Sequence, residues 1–154
     1  MSVRLTLLGA CACLAMTSCA SLSSLGNPNA SVPNNRRLLL IQNPEDRRQV
    51  YDLIADELNS CGYHVTIGSE DKKSEADITV HYWTKWVWDV FSYLAELSVE
   101  FRDAKTGEMI SAADAFRPSL QRTSAKRMVR QTLTAALEKS VREERPSSIS
   151  TEAD

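Results

Sequence analysis

Cysteine is nearly absent from the body of this chain. Four occur, and three of them (Cys11, Cys13 and Cys19) fall within the first nineteen residues, so only Cys61 remains beyond. Without a pair of thiols in the folded part, no intramolecular disulfide and no thiolate zinc cage is expected there. Histidine is as scarce. His64 and His81 each lie beside apolar residues, with no ligand-like spacing to a second His or Cys. No phosphate-cradling glycine loop, nucleophile elbow or metalloprotease helix occurs. A large excess of one charge is missing too. Without Arg4 of the leader, 17 basic residues stand against 20 acidic ones, about −3, which offers no whole-chain argument for nucleic acid. After the first apolar run, Leu5 to Met16, no segment is long and apolar enough to span a bilayer.

That first run is the most informative feature. Met1 to Arg4 is a short, positively charged start, Leu5 to Met16 is an apolar stretch of secretory length, and Thr17-Ser18-Cys19 closes it with small residues and a thiol. The pattern resembles a bacterial lipobox. The resemblance implies a diacylated Cys19 as the new N-terminus, with Ala20 in second place directing the protein to the outer membrane, facing the periplasm. Leu8-Gly9-Ala10-Cys11 is the alternative, but it leaves only Leu5 to Ala10 as the apolar region. Two or more acyl chains anchor stably without a transmembrane helix.

The chain divides into a signal peptide (1–18), a lipidated N-terminus and flexible tether (19–35), one α/β domain (36–142) and a disordered tail (143–154). The tether expectation rests on the Ser, Asn, Gly and Pro of Ala20 to Asn35. Leu38-Leu39-Leu40-Ile41 reads as a buried strand. Asn43-Pro44-Glu45-Asp46 reads as a helix start, with Asn43 as cap and Pro44 at the first helical position, and Val50, Leu53, Ile54, Leu58 and Cys61 form an apolar stripe closed by Gly62. Cys61 is expected to be a small buried hydrophobe. Tyr63, Val65 and Ile67 alternate as a second strand. Asp77 to Trp88 and Phe91 to Arg102 read as a third and a fourth, the latter with Leu97, Val99 and Phe101 opposite Glu96, Ser98, Glu100 and Arg102. A hairpin loop with a left-handed Gly107 leads to a fifth strand, Met109 to Phe116, and a helix runs from about Ser124 to Val141. The order is β-α-β-β-β-α: an α+β fold with a mixed four- to five-stranded sheet and both helices on one face.

Two constellations stand out. His81-Tyr82-Trp83-Thr84-Lys85-Trp86-Val87-Trp88-Asp89 holds all three tryptophans. Strand alternation places Trp86 and Trp88 with the core-facing Ile78, Val80 and Tyr82, and Trp83 and Val87 on the other side. Trp83 and Val87, with Lys85, are therefore the candidate partner contact. Arg117, Arg122, Lys126, Arg127 and Arg130 lie in a segment, Ala115 to Leu137, that has no acidic residue. Several oppose the dipole of the last helix, which makes them a candidate contact for an anionic glycolipid or glycan. Compensation by Glu96, Glu100 or Asp103 is the alternative. His81 with Asp77 or Asp89 is an imaginable acid–base pair, Glu57 on the fringe of the first helix reads as a solvated edge carboxylate, and no enzyme activity or cofactor is expected.

Ala76-Asp77-Ile78-Thr79-Val80, Trp88-Asp89 with Tyr93-Leu94, and the loop Asp103 to Glu108 resemble small Gram-negative outer-membrane lipoproteins with a single periplasmic α/β domain. The resemblance implies a membrane-held accessory protein with an envelope protein partner, and no nucleic acid. Cys19→Ala is expected to abolish acylation and release the protein from membranes, while Cys11→Ala leaves both intact. Mass spectrometry of the N-terminal peptide checks this, and the opposite pattern moves the cleavage site to Cys11.

Overall fold

The computed structural model describes residues 20–26 and 32–142, with side chains to 137. The expected signal peptide, Cys19 and the tail from 143 lie outside the described residues. The fold is α+β. Six strands, β1 (Ser21–Gly26), β2 (Arg37–Ile41), β3 (His64–Gly68), β4 (Ile78–Asp89), β5 (Phe91–Asp103) and β6 (Met109–Phe116), form one mixed sheet in the order β1-β6-β5-β4-β2-β3. The helices α1 (Val50–Ser60) and α2 (Ala125–Arg142) pack on the same face. Strand β2 runs parallel to β3 and β4, and the remaining neighbours are antiparallel.

Strand alternation builds the core. Leu38 and Leu40 pair with Ile78 and Val80, which pair with Asp103 and Phe101, and Val99 and Leu97 continue the row. Against this surface α1 sets Val50, Ile54 and Leu58, and α2 sets Met128, Val129, Leu133 and Ala136, all buried. The helices meet through an ion pair between Arg130 Nε and Glu57 Oε1 at 2.9 Å. Asp103 organises the β5–β6 loop: its Oδ1 accepts the N–H groups of Lys105 and Thr106, each at 2.8 Å, and Gly107 takes φ 74°, the left-handed conformation expected of it.

Three expectations are corrected. The segment expected to be a tether contains a strand: β1 pairs along its whole length with β6, from Ser21 opposite Phe116 to Gly26 opposite Ser111. The sheet therefore has six strands where four or five were expected. Backbone hydrogen bonds recruit this Ser-rich segment to an otherwise open edge, and they need no hydrophobic alternation. Arg117 Nη1 reinforces it by donating to the Ser21 carbonyl at 3.0 Å.

The first helix starts at Val50, after Gln49 in a left-handed conformation, and not at Asn43. Asn43 Oδ1 accepts the N–H of Glu45 two residues on, at 2.9 Å, which makes a local turn in place of a helix cap. Asp46 accepts from the backbone of Arg48 and Tyr51, and from the Tyr82 hydroxyl at 2.8 Å, so a tertiary bond to β4 holds the pre-helical turn. Finally, Cys61 is exposed. The last helical turn ends there, and Gly62 at φ 89° turns the chain so that Tyr63, not Cys61, is buried. Tyr63 donates its hydroxyl to the Val32 carbonyl at 2.9 Å.

Phe101 is the largest fully buried side chain and lies at the centre of the sheet beneath the helices. Phe101→Ala is expected to destabilise the domain by about 3–5 kcal/mol, measured by urea denaturation.

Candidate functional site

Both helices cover one face of the sheet, so the other is open over much of its width. Odd-numbered residues of β4 (Thr79, His81, Trp83, Lys85) point to this open face, together with Arg102, Glu100, Ser98 and Glu96 of β5. Towards β2 and β3 it is partly closed. A 3₁₀ segment, Glu70–Glu75, overlies that end, and Leu39, Ala76 and Ala104 form a small second core. Between this segment and the sheet lies a cleft of about 560 Å³, with Arg37, His64, Thr66, Lys72 and Glu75 on its walls. These groups share no hydrogen-bonded or ion-paired constellation that would position a reacting atom.

The centre of the open face carries an aromatic pair. The His81 and Trp83 rings stack with centroids 6.3 Å apart and planes inclined at 17°. His81 Nε2 lies 3.2 Å from Thr79 Oγ1 and 3.7 Å from Glu70 Oε1. Burial pushes the His81 imidazole below its usual pKa and outweighs the opposing pull of Glu70. Trp83 is 49% exposed. Around the pair the charges are matched: Lys85 Nζ meets Glu96 Oε1 at 2.7 Å directly across the strands, and Arg102 Nη2 meets Glu100 Oε2 at 2.6 Å. A half-exposed tryptophan framed by satisfied ion pairs resembles the anchor-and-rim arrangement of a contact surface.

The three candidate contact residues separate in role. Trp83 is exposed, Lys85 is engaged with Glu96, and Val87 is only half-buried further along the strand. Trp86 faces the helices as expected and packs against the core, with the Arg48 guanidinium 4.3 Å above its ring. Trp88 shares that side but has outrun the core and is exposed. Between Lys85 and Trp86 the register slips, because Ala95 is an extra residue in β5, so Trp86 faces Leu94.

The basic segment does not converge on one point. Arg117 binds the carbonyls of Ser21 and Phe116 and the Gln131 side chain. Arg122 binds Ser119 and Asp89, and Arg130 binds Glu57. Lys126 and Arg127 are exposed on the first turn of α2. The compensation comes from Asp89 and Glu57, and not from Glu96, Glu100 or Asp103. The imagined acid–base pairs do not form either: Asp77 is held by Arg37 at 3.5 Å and Asp89 by Arg122 at 3.5 Å, while His81 sits with Glu70 and Thr79. Among the described residues no cluster of three or more His, Cys, Asp or Glu side chains could hold a metal ion, and no helix is long and apolar enough to cross a membrane.

Sequence reasoning missed the end of the β4–β5 hairpin, where Val90 and Phe91 are exposed beside Trp88. The signal was in the lengths. Strands of 12 and 13 residues extend well beyond a core built on five-residue neighbours.

By sequence the chain matches no family profile and no curated protein. By fold it is similar to a chain of the PelC dodecamer from Paraburkholderia phytofirmans, with a TM-score of 0.60 and 12% identity over 77% of this chain and 99% of that one. A single-substitution variant of that protein gives a TM-score of 0.59 and 15% identity, over 77% and 98%. A minor lipoprotein from Acinetobacter baumannii aligns over 69% of this chain and 94% of its own at 15% identity, with a TM-score of only 0.33. The first two establish a shared fold.

A histidine whose pKa lies below 6.5 in the folded state and near 6.5 in the unfolded chain takes up its proton preferentially on unfolding. Stability is therefore expected to fall as pH drops from above 6.5 toward the depressed pKa. His81→Gln is expected to remove this part of the dependence, checked by comparing urea midpoints of the two proteins at pH 7.5 and 5.5.

Proposed function

We propose that this chain is a lipid-anchored accessory protein of the outer membrane, facing the periplasm, and that it works by binding a protein partner without chemistry of its own. The observation that carries the reading is Trp83. It stands half-exposed, stacked on His81, in a sheet face that neither helix covers. The neighbouring charges are already paired within the chain, so a partner would cover them without leaving a buried charge unmatched. Burial of the Trp83 ring would then supply most of the contact energy. Cys19 supplies the anchor, and its effect is to raise the local concentration of the domain at the membrane. The basic segment favours an anionic glycolipid less, because Arg117, Arg122 and Arg130 are engaged elsewhere in the chain.

A specific form of the partner reading is self-association. The PelC chain that shares this fold is described as a dodecamer. A second copy of this chain is therefore one candidate occupant of the open face.

The test places a photo-crosslinking amino acid at position 83 in cells. A heterologous adduct is expected for an envelope partner, and adducts at multiples of the chain mass for self-association. Trp83→Ala is expected to abolish the adducts formed from a crosslinker at Ser98, which pairs with Trp83 across β4 and β5. Unchanged adducts and an unchanged phenotype in that variant would sink the assignment of this face.

A further inference from the structure

The sheet register decides which end of the domain faces the anchor. Ser21 of β1 lies opposite Phe116 of β6, Phe116 opposite Glu96 of β5, and Glu96 opposite Lys85 of β4, so these four residues form one row across the sheet. The chain before Ser21 leads to Cys19 on one side of that row. On the same side, β4 and β5 continue to the hairpin tip, and β6 continues to the 3₁₀ turn Ser119–Gln121. Four large apolar side chains stand there in solvent: Trp88 at 76% exposure, Val90 at 73%, Phe91 at 62% and Leu120 at 86%.

We propose that this end of the domain seats in the phospholipid surface that the acylated Cys19 anchors, with the tip of the β4–β5 hairpin inserted at the level of the headgroups. The proposal rests on the reading of Cys19 as the acylated residue. The expected flexible tether would have let the domain stand away from the membrane, but β1 begins two residues after Cys19. Two extended residues span at most about 7 Å. Val90 lies five residues beyond Lys85, and at about 3.3 Å per residue that is about 16 Å past the row. The tip therefore extends beyond the point where the acyl chains enter, and the headgroup layer is only about 5–8 Å thick on each side.

The composition of the tip fits that position. Tryptophan favours the boundary between headgroups and acyl chains, and the apolar Val90, Phe91 and Leu120 beside Trp88 add apolar surface to bury there. Arg122 lies 5.1 Å above the Phe91 ring and 5.3 Å from that of Tyr93, and it donates to the Asp89 carbonyl at 3.2 Å, which braces the turn. Arg48 lies over Trp86 and donates to Ser92 at 2.8 Å, one step behind the tip. The exposed Arg48 guanidinium stands where a phosphate would meet it, while Arg122 is held by Ser119 and Asp89 and braces the turn from within. Val90 adopts φ 62°, a conformation that strongly disfavours a β-branched residue. Glycine or asparagine would relieve this strain, so an exposed valine here is explained by a need for an apolar tip.

The acylated full-length mature protein, purified from membranes, is reconstituted into vesicles of phosphatidylethanolamine and phosphatidylglycerol with brominated acyl chains, and tryptophan emission is read. Emission is expected to be quenched. Trp88→Ala is expected to lose most of the quenching and Trp83→Phe to retain it. Val90→Asp, at the exposed turn, is expected to reduce quenching with an unchanged melting temperature, which keeps the test open should Trp88→Ala fold poorly. Absence of quenching in a protein shown by mass spectrometry to be acylated at Cys19 overturns the seating and leaves the anchor standing. A protein not acylated at Cys19 overturns the anchor and, with it, the orientation. Crosslinks from position 88 to a protein in cells, without bromolipid quenching, make the tip a protein-docking surface and overturn the proposal.

Discussion

The long antiparallel ladder between β4 and β5 is the constraint on which the rest of this molecule depends. Twelve and thirteen residues pair along nearly their whole length, while β2 and β3 are only five residues long. One half of the ladder is the floor of the hydrophobic core. There Val80, Tyr82, Leu97, Val99 and Phe101 lie beneath the two helices. The other half runs out past the core: Trp86 and Leu94 still pack against it, but Trp88, Val90 and Phe91 are exposed, and this end is held by its cross-strand bonds and by Arg48 and Arg122. A ladder this long carries the core along most of its length and leaves the hairpin tip exposed beyond it.

Arginine does much of the work at the boundary between the two halves. Arg48 covers Trp86 where the core ends, Arg122 braces the turn through Asp89 and the rings of Phe91 and Tyr93, and Arg117 ties β1 to the end of β6. Planar guanidinium groups suit this role, since they stack on rings while donating in the plane. What reads along the chain as a basic patch is thus in large part internal bracing, with Lys126 and Arg127 left facing solvent. Asp46 plays the matching acidic part. It caps the turn before α1 and accepts the Tyr82 hydroxyl, and burial followed by that bond holds the Tyr82 phenol well above its usual pKa.

How much of this could be read from the residues depends on the kind of force involved. The buried faces of β2, β4 and β5 announce themselves by alternation, and α2 by its apolar stripe, because burial of apolar side chains imposes a period on the sequence. Gly107 was legible as a left-handed position and Gly62 as the end of a helix, and both take positive φ, which few other residues adopt readily. Strand β1 was not legible. Leu22 and Leu25 remain largely exposed, and the segment is held by backbone pairing, to which the side chains contribute little. The start of α1 misled for a related reason: a local Asn43 turn and a distant Tyr82 hydroxyl compete with helix capping, and only the fold brings Tyr82 near.

The candidate surfaces divide along the same line. The residues alone determined that Trp83 and Trp86 face opposite ways, that two helices cover one face of the sheet, and that a lipobox-like cysteine precedes the domain, because period, composition and leader pattern are local properties. Tertiary structure decided that Trp83 is exposed, that Trp88 escapes the core despite sharing Trp86's side, and that the hairpin tip projects from the same end as the chain leading to Cys19. Those facts depend on where the core ends and on register across four strands, and register is settled by pairing between segments up to about a hundred residues apart, a relation that no local pattern encodes.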